Sequence, residues 1–465
     1  MKENLFLHSA FIKEGAFIKN NRVIEWMKEQ NEKVNVKITK IPFAELNLWN
    51  VNENDISHQS GKFFSIAGIR VKTNWGDVES WEQPIINQPE IGYLGFITKE
   101  FDGVLYFLMQ AKIEPGNINH VQLSPTLQAT KSNYTQAHKG NSPLYLEYFQ
   151  KATPEQILLD QLQSEQGARF LKKRNRNIIV KIDEELPVYD NFIWLTLGQI
   201  KELMRIDNLV NMDTRTVISC IPFISYESGN LPMLPNLNTG GIQQLFLKSA
   251  LERDKGLYSI DNIISFITKQ KSFYDLEVTQ IPLKEIKFWN YTENEIFHEQ
   301  HKYFKVIAVD VNIENREVIK WTQPMVEPLQ EGLCAFICKE INGVLHFAVQ
   351  TKLECGNFDI IELAPTVQSL TGDYKEKNKI PLPFLDYVLS ADKKNIIYDT
   401  RQSEEGGRFY QEQNRNMIIL ADDKFPTALP ENFIWMTLNQ LYTFLKFNNY
   451  LNIQARNLIA SIEFS

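Results

Sequence analysis

Two apolar stretches rich in aromatic and branched residues, Gly92-Tyr-Leu-Gly-Phe-Ile-Thr98 and Val104-Leu-Tyr-Phe-Leu-Met-Gln110, flank the dipeptide Asp102-Gly103. Runs of this length around Asp-Gly predict a β-hairpin, because a tight turn needs two residues that tolerate positive φ. The same pattern around Asn342-Gly343 predicts a second hairpin. Past the first hairpin, strand alternation puts Gln110, Lys112 and Glu114 on one face, and the strand stops at Pro115-Gly116. Further on the period changes. Thr196 stands before Leu197, Ile200, Leu203 and Met204, apolar positions at helical spacing behind a residue suited to capping. Central strands with a terminal helix predict an α+β unit.

That unit occurs twice. Ile41-Pro42 and Trp49 recur 240 residues on as Ile281-Pro282 and Trp289, and Trp81-x-Gln83-Pro84 as Trp321-x-Gln323-Pro324. Gln110-x-Lys112-x-Glu114-x-Gly116-Asn117 returns as Gln350-x-Lys352-x-Glu354-x-Gly356-Asn357. The offset then becomes 239, matching Gln163-Ser-Glu165 to Gln402-Ser-Glu404, and later 241, matching Phe192-Ile-Trp194 to Phe433-Ile-Trp435 and Arg215 to Arg456. Two single-residue slips over this length mark one unit duplicated whole, each copy long enough for its own core. The expected organisation is a first repeat at 1–224, an Asn-, Pro- and Gly-rich linker at 225–241 and a second repeat at 242–465.

Composition narrows the class of function. Hydrophobic residues make up 43% and charged residues 23% of 465, which fits a globular chain. The net charge of −8 comes with no basic stripe to offset it, which argues against a nucleic-acid partner. No apolar run approaches membrane-spanning length and the N-terminus does not resemble a signal peptide, so no membrane association is expected. Cys220, Cys334, Cys338 and Cys355 form no zinc pattern, Cys334 and Cys338 reading as reduced core residues of a hairpin strand. A reduced cytoplasmic setting fits them. His298-Glu-Gln-His301 has metal-like spacing, but the first repeat carries Gly61 at the second position, so no metal site is expected.

The densest polar constellation runs from Gln110 through Asn117 and on from Val121 to His138. Together with Trp81-Glu-Gln-Pro84, Gln163-Ser-Glu-Gln-Gly167, Lys173-Arg-Asn-Arg-Asn177 and the duplicated layout, it is similar to the NDP-hexose 2,3-dehydratase family over nearly the whole chain. The resemblance implies homodimers of two tandem Nudix-like units. It also implies action on dTDP-4-keto-6-deoxyglucose in deoxysugar synthesis, with a 3-ketoreductase consuming the reactive diketo product.

The implied elimination needs a base, an acid and donors for an enolate oxygen. The C4 ketone is the electron sink, so no cofactor is expected, in keeping with a sequence lacking G-x-G-x-x-G, a P-loop or H-E-x-x-H. Glu114 is the first candidate for acid or base, His138 the second, and Tyr134 a candidate donor or acid. Each has a plainer reading: Glu114 as the ion-pair partner of Lys112, His138 as a solvated loop residue, Tyr134 as a packing ring. Candidates for substrate binding are Lys112, Asn117, Gln122, Ser124, Thr126 and Gln128, followed by Thr130, Lys131, Ser132 and Asn133. A diphosphate calls for cations, which Lys131, Arg174 and Arg176 supply, alongside Asn175. Arg176 keeps a counterpart in Arg415 and reads equally as a structural ion-pair residue, whereas Gln413 replaces Arg174.

The repeats diverge in the polar loop. Lys131 and His138 lose their counterparts and Cys355 replaces Pro115, so the first repeat is expected to hold the working pocket and the second an auxiliary nucleotide-sugar site. Two competing classes remain at this level. A metal-dependent nucleotide-sugar hydrolase would need a glutamate-bearing helix near an Arg-Glu pair, and Arg316-Glu317 is followed by Val-Ile-Lys-Trp. A binding protein without turnover is the other.

Overall fold

A computed structural model describes residues 2–134, 142–223, 241–314, 318–370 and 382–465. All of the expected linker except Gly241 lies outside them, as does Arg316-Glu317. Both halves are α+β and run through the same order of elements. Two helices come first (Lys2–Phe11 and Asn20–Glu32; Gly241–Leu251 and Ile260–Phe273) and two close the half (Leu197–Leu203 and Met212–Ser219; Leu438–Leu445 and Ile453–Ala460). Among the described residues no helix is long and apolar enough to cross a membrane.

Each half carries a seven-stranded mixed sheet. In the first the order is Ile157–Ser164, Arg174–Ile182, Gly92–Phe101, Val104–Ile113 and Phe192–Thr196, with Val121–Ser124 and Leu127–Ala129 as short additions. The expected hairpins are present: Asp102 and Gly103 have φ of 49° and 77°, Asn342 and Gly343 of 53° and 74°, so both turn residues are left-handed in each. The expected cap also forms. Gln199 N donates to Thr196 Oγ1 at 3.1 Å and Thr196 N to Gln199 Oε1 at 3.2 Å, an exchange repeated by Thr437 and Gln440.

The two smaller sheets are shared between halves. Val36–Ile41 of the first half pairs antiparallel with Phe304–Ile313 of the second, Val36 opposite Ile313. Reciprocally, Leu276–Ile281 pairs with Ser65–Thr73, Leu276 opposite Thr73. Each half retains a core of its own, such as Ile97, Phe149, Ile178 and Trp194, or Ile337, Leu385, Ile419 and Trp435. The largest core joins both halves, bringing Phe107, Ile200 and Val217 together with Phe347, Leu441 and Leu458. The expectation of two cores is therefore only part of the structure, because exchanged strands and a common core bind the repeats into one body.

Helices Met212–Ser219 and Ile453–Ala460 pack on each other and are buried along their whole length. Polar side chains in such helices must find partners inside. Arg215 donates to Gln402 Oε1 at 2.7 Å and to Ser403 O at 2.5 Å across the junction. Arg456 reaches back to Ser164, through Oγ at 3.3 Å and the carbonyl oxygen. These buried arginines fix the loops that follow Ser164 and Ser403, and those loops build the site.

Candidate active site

A cleft of about 320 Å³ opens at the end of strand Val104–Ile113. Lys112, Glu114 and Gln128 form part of its lining. Gln128 Nε2 donates to Glu114 Oε1 at 2.7 Å, and Lys112 Nζ lies 3.9 Å from the same oxygen while donating to Gln128 O at 3.3 Å. Gln128 is held in turn: its Oε1 accepts from Ser124 Oγ at 3.0 Å and from Asn211 Nδ2 at 3.2 Å. Asn211 also caps helix Met212–Ser219, accepting from Thr214 N at 2.8 Å, which starts the helix beside the cleft and places Asp213 in its lining.

The Pro115-Gly116 turn docks on the second half. Gly116 N donates to Gly406 O at 2.7 Å and Gly116 O accepts from Gln411 N at 2.7 Å. A Cβ on Gly116 would run into the Phe409 carbonyl oxygen, so only glycine permits this approach. Through this contact the second half supplies Glu405 and Arg408 to the cleft. Glu405 Oε1 accepts from Gly407 N at 3.0 Å, whereas Oε2 is sheltered and has no hydrogen-bond partner among the described residues. The Arg408 guanidinium lies 4.2 Å over the Phe64 ring, and its Nε donates to Gln88 Oε1 at 3.3 Å. Aromatic side chains complete the walls: Trp49, Phe63 and Phe64 from the first half, Trp321 from the second.

Charge is concentrated here. Besides Glu114 the cleft holds the carboxyls of Glu165, Asp213 and Glu405. Burial, reinforced by Glu114, pushes Glu405 up to about 7. Burial also drives Asp213 well above the usual carboxylate range, with Glu114, Glu405 and Glu165 adding to it. Glu165 is raised by burial against the pull of Lys173 and Arg456, and accepts from Asn175 Nδ2 at 2.6 Å. Lys173, whose ammonium donates to the Glu90 carbonyl, is brought down to about 8 by burial. Groups so perturbed, converging on one cleft, have the character of proton-transfer machinery. Among the described residues no group of three or more His, Cys, Asp or Glu side chains is placed to hold a metal ion.

The structure brings five of the expected residues into the cleft: Lys112, Glu114, Gln128, Thr130 and Asn175. Ser124 stands behind Gln128. Others hold the frame. Asn117 Nδ2 donates to His120 O at 2.9 Å inside the turn, and Gln122 Oε1 accepts from Ser403 Oγ at 2.9 Å across the junction. Thr126 Oγ1 donates to Leu108 O at 2.5 Å and accepts from Ile97 N at 2.9 Å, tying two strands. Ser132 Oγ donates to Glu90 Oε2 at 2.5 Å. The side chains of Asn133 and Tyr134, and all of His138, lie outside the described residues.

The arginines expected on the diphosphate do not line the cleft. Strand alternation turns Lys173 and Asn175 toward it and sends Arg174 and Arg176 to the other face. Arg174 lies 4.1 Å over the Phe358 ring, and Arg176 is forked onto Asp160 at 2.7 and 2.6 Å. Arg176 and Lys131 instead border a shallow groove beside Pro89–Tyr93. Of the cleft's cations Lys112 was expected, whereas Lys173, Lys320 and Arg408 were missed, as were Glu165, Asp213 and Glu405. Comparison of the repeats carries a signal for three of them: Lys173 faces Glu412 in the alignment of repeats, Asp213 faces Gln454, and Glu405 faces Gln166. By contrast the inner pair persists, Gln368 Nε2 donating to Glu354 Oε1 at 2.9 Å.

The sequence model of the NDP-hexose 2,3-dehydratase family matches residues 20–221 and again 260–462. A dTDP-4-dehydro-6-deoxy-alpha-D-glucopyranose 2,3-dehydratase of Saccharopolyspora spinosa is 46% identical over 441 residues, 94% of this chain and 90% of its own. Proteins of the same name from Amycolatopsis orientalis and Streptomyces violaceoruber are 41% and 42% identical, covering 98% and 94% of this chain and 92% and 95% of theirs. Among solved structures, an ADP compounds hydrolase matches 34% of this chain and 82% of its own at 15% identity and a TM-score of 0.23. With both repeats matched and three full-length relatives sharing one name, the chain belongs to the NDP-hexose 2,3-dehydratase family.

Proposed function

We propose that this protein is a lyase that removes water across C2–C3 of dTDP-4-keto-6-deoxy-D-glucose, giving the 3,4-diketo-2,6-dideoxy sugar nucleotide. The observation that carries the reading is Glu114, oriented by Gln128 and Lys112, in a cleft with three further carboxyls. The substrate is the one named for the three relatives. The C4 ketone acidifies the C3 proton, which Glu114 removes. Electrons move into the C4 oxygen, and Lys112, 3.9 Å from Glu114, is the cation beside the base that steadies the charge. Their return forms the C2=C3 bond and breaks C2–O, releasing water. The resulting enol takes a proton at C2 and becomes the C3 ketone. The aromatic wall of Trp49, Phe63 and Trp321 suits the flat thymine base. Lys173 and Arg408 suit the diphosphate.

We assign turnover to this cleft and an auxiliary nucleotide-sugar role to the related site in the second repeat. There Gln454, Glu412 and Gln166 stand in place of Asp213, Lys173 and Glu405. The reading includes a cytoplasmic homodimer of Nudix-like units, with a 3-ketoreductase consuming the product. Incubating the purified protein with dTDP-4-keto-6-deoxyglucose, and following mass and proton NMR, tests it. Loss of one water that survives chelator is expected; release of nucleotide monophosphate on adding Mg²⁺ would make it a hydrolase instead.

A further inference from the structure

We infer that Glu405, carried by the second repeat, is the general acid that protonates the departing C2 hydroxyl in the cleft of the first. This deepens the dehydratase reading and rests on it. Three observations lead there. First, Glu405 lines the same cleft as Glu114 but is anchored differently. Glu114 accepts from the Gln128 amide with the Lys112 ammonium nearby, whereas Glu405 has one backbone donor, Gly407 N, on Oε1. Its Oε2 is sheltered and accepts nothing from the described residues, which leaves that oxygen available to carry a proton. Secondly, the charged groups that act on Glu405 are Glu114, Glu165 and Asp213 on one side of the balance and Lys173 and Arg408 on the other. Burial and the carboxylates prevail, and Glu405 sits up at about 7. A carboxyl poised near neutrality suits proton donation, and two carboxyls in unlike settings divide naturally into base and acid. Thirdly, the second repeat's counterpart site receives Gln166 from the first repeat at this position while retaining Glu354 and Gln368. Of the two related sites, the one with Glu405 is also the one that carries Asp213 and Lys173, replaced by Gln454 and Glu412 in the other.

The step balances. As the C2–O bond breaks, its electron pair leaves with the oxygen, the Glu405 proton joins that oxygen, and water departs. Glu405 is left as carboxylate and Glu114 holds the C3 proton; exchange with solvent resets both. The second repeat is thus a working part of the first repeat's site.

The test separates the two proton transfers. Glu405→Gln places in the loop the residue that position 166 already carries in its counterpart, so the fold should accept it. In D₂O with dTDP-4-keto-6-deoxyglucose, E405Q should keep C3-proton exchange, which needs only the base. It should lose water release by on the order of 100-fold or more. Replacing the C2 hydroxyl by fluoride, which leaves without a proton, should restore elimination in E405Q. Wild-type water loss should fall as pH rises through about 7, where the acid gives up its proton. Water release in E405Q equal to wild type would overturn the acid role alone. So would joint loss of exchange and water release that fluoride does not rescue. A wild-type protein that neither exchanges nor dehydrates this sugar would overturn the dehydratase reading and this assignment with it.

Discussion

Glu362 and Gln122 occupy the same position in the two repeats, and each accepts a hydroxyl across the junction: Glu362 from Ser164 at 3.0 Å, Gln122 from Ser403 at 2.9 Å. The glutamate has a second, buried oxygen without a partner among the described residues, and burial lifts its carboxyl to about 8 from an ordinary 4.5. The unfolded chain therefore ionises this group at lower pH than the folded one, so the stability that Glu362 contributes declines as pH rises from about 4.5 through about 8. Glu362→Gln removes that decline and should accept the Ser164 hydroxyl as Gln122 accepts Ser403. The difference in unfolding free energy between variant and wild type should shift in the variant's favour with pH, by a few kcal/mol between pH 4.5 and 8. Denaturant melts at several pH values check this; a pH-independent difference would contradict it. At this scale the sequence was partly legible. Glu114, Lys112 and Gln128 share a strand end or follow it closely, so alternation and proximity find them. Asp213 and Glu405 reach Glu114 only through the packed helices and the Gly116–Gly406 contact, which no local pattern announces. Lys173 was within reach of the alternation argument, since Arg174 and Arg176 are its off-face neighbours.

Among elements, the Gly116 turn and the loop from Ser403 to Gln411 act as one piece, joined by two backbone hydrogen bonds of 2.7 Å. Gly116→Ala would push a Cβ into the Phe409 carbonyl, and backbone on both sides would have to move. Destabilisation of about 1–3 kcal/mol is expected, as for overpacking elsewhere. Turnover should fall further than the folded fraction does, because Glu405 and Arg408 ride on the displaced loop. Circular dichroism melts paired with kcat measure both; full kcat in a destabilised variant would show that the loop's position does not matter. Elements set by neighbouring residues were readable in advance, as with the Asp102-Gly103 hairpin and the Thr196–Gln199 capping box. The exchanged strands were not. Val36–Ile41 and Leu276–Ile281 have the same burial pattern, and each would suit the edge of either small sheet. The choice is made by the path of the whole chain.

For the molecule as a whole, duplication explains why each site draws on both repeats: once strands and loops cross over, a change in one copy alters the chemistry of the other. The repeat itself was legible from end to end, since Trp, Gln-Pro, Gly and Phe-Ile-Trp landmarks persist at near-constant offset. The sharing of the sites was hidden, because an offset between copies says nothing of how they are threaded. In the proposed mechanism one of the two related sites performs the elimination, with Glu114 as its base. The decisive experiment compares Glu114→Gln with Glu354→Gln in D₂O, reading C3-proton exchange and water loss in each. E114Q should lose both by on the order of 100-fold or more while E354Q stays close to wild type; equal losses in the two variants would rule out a single working site with Glu114 as its base.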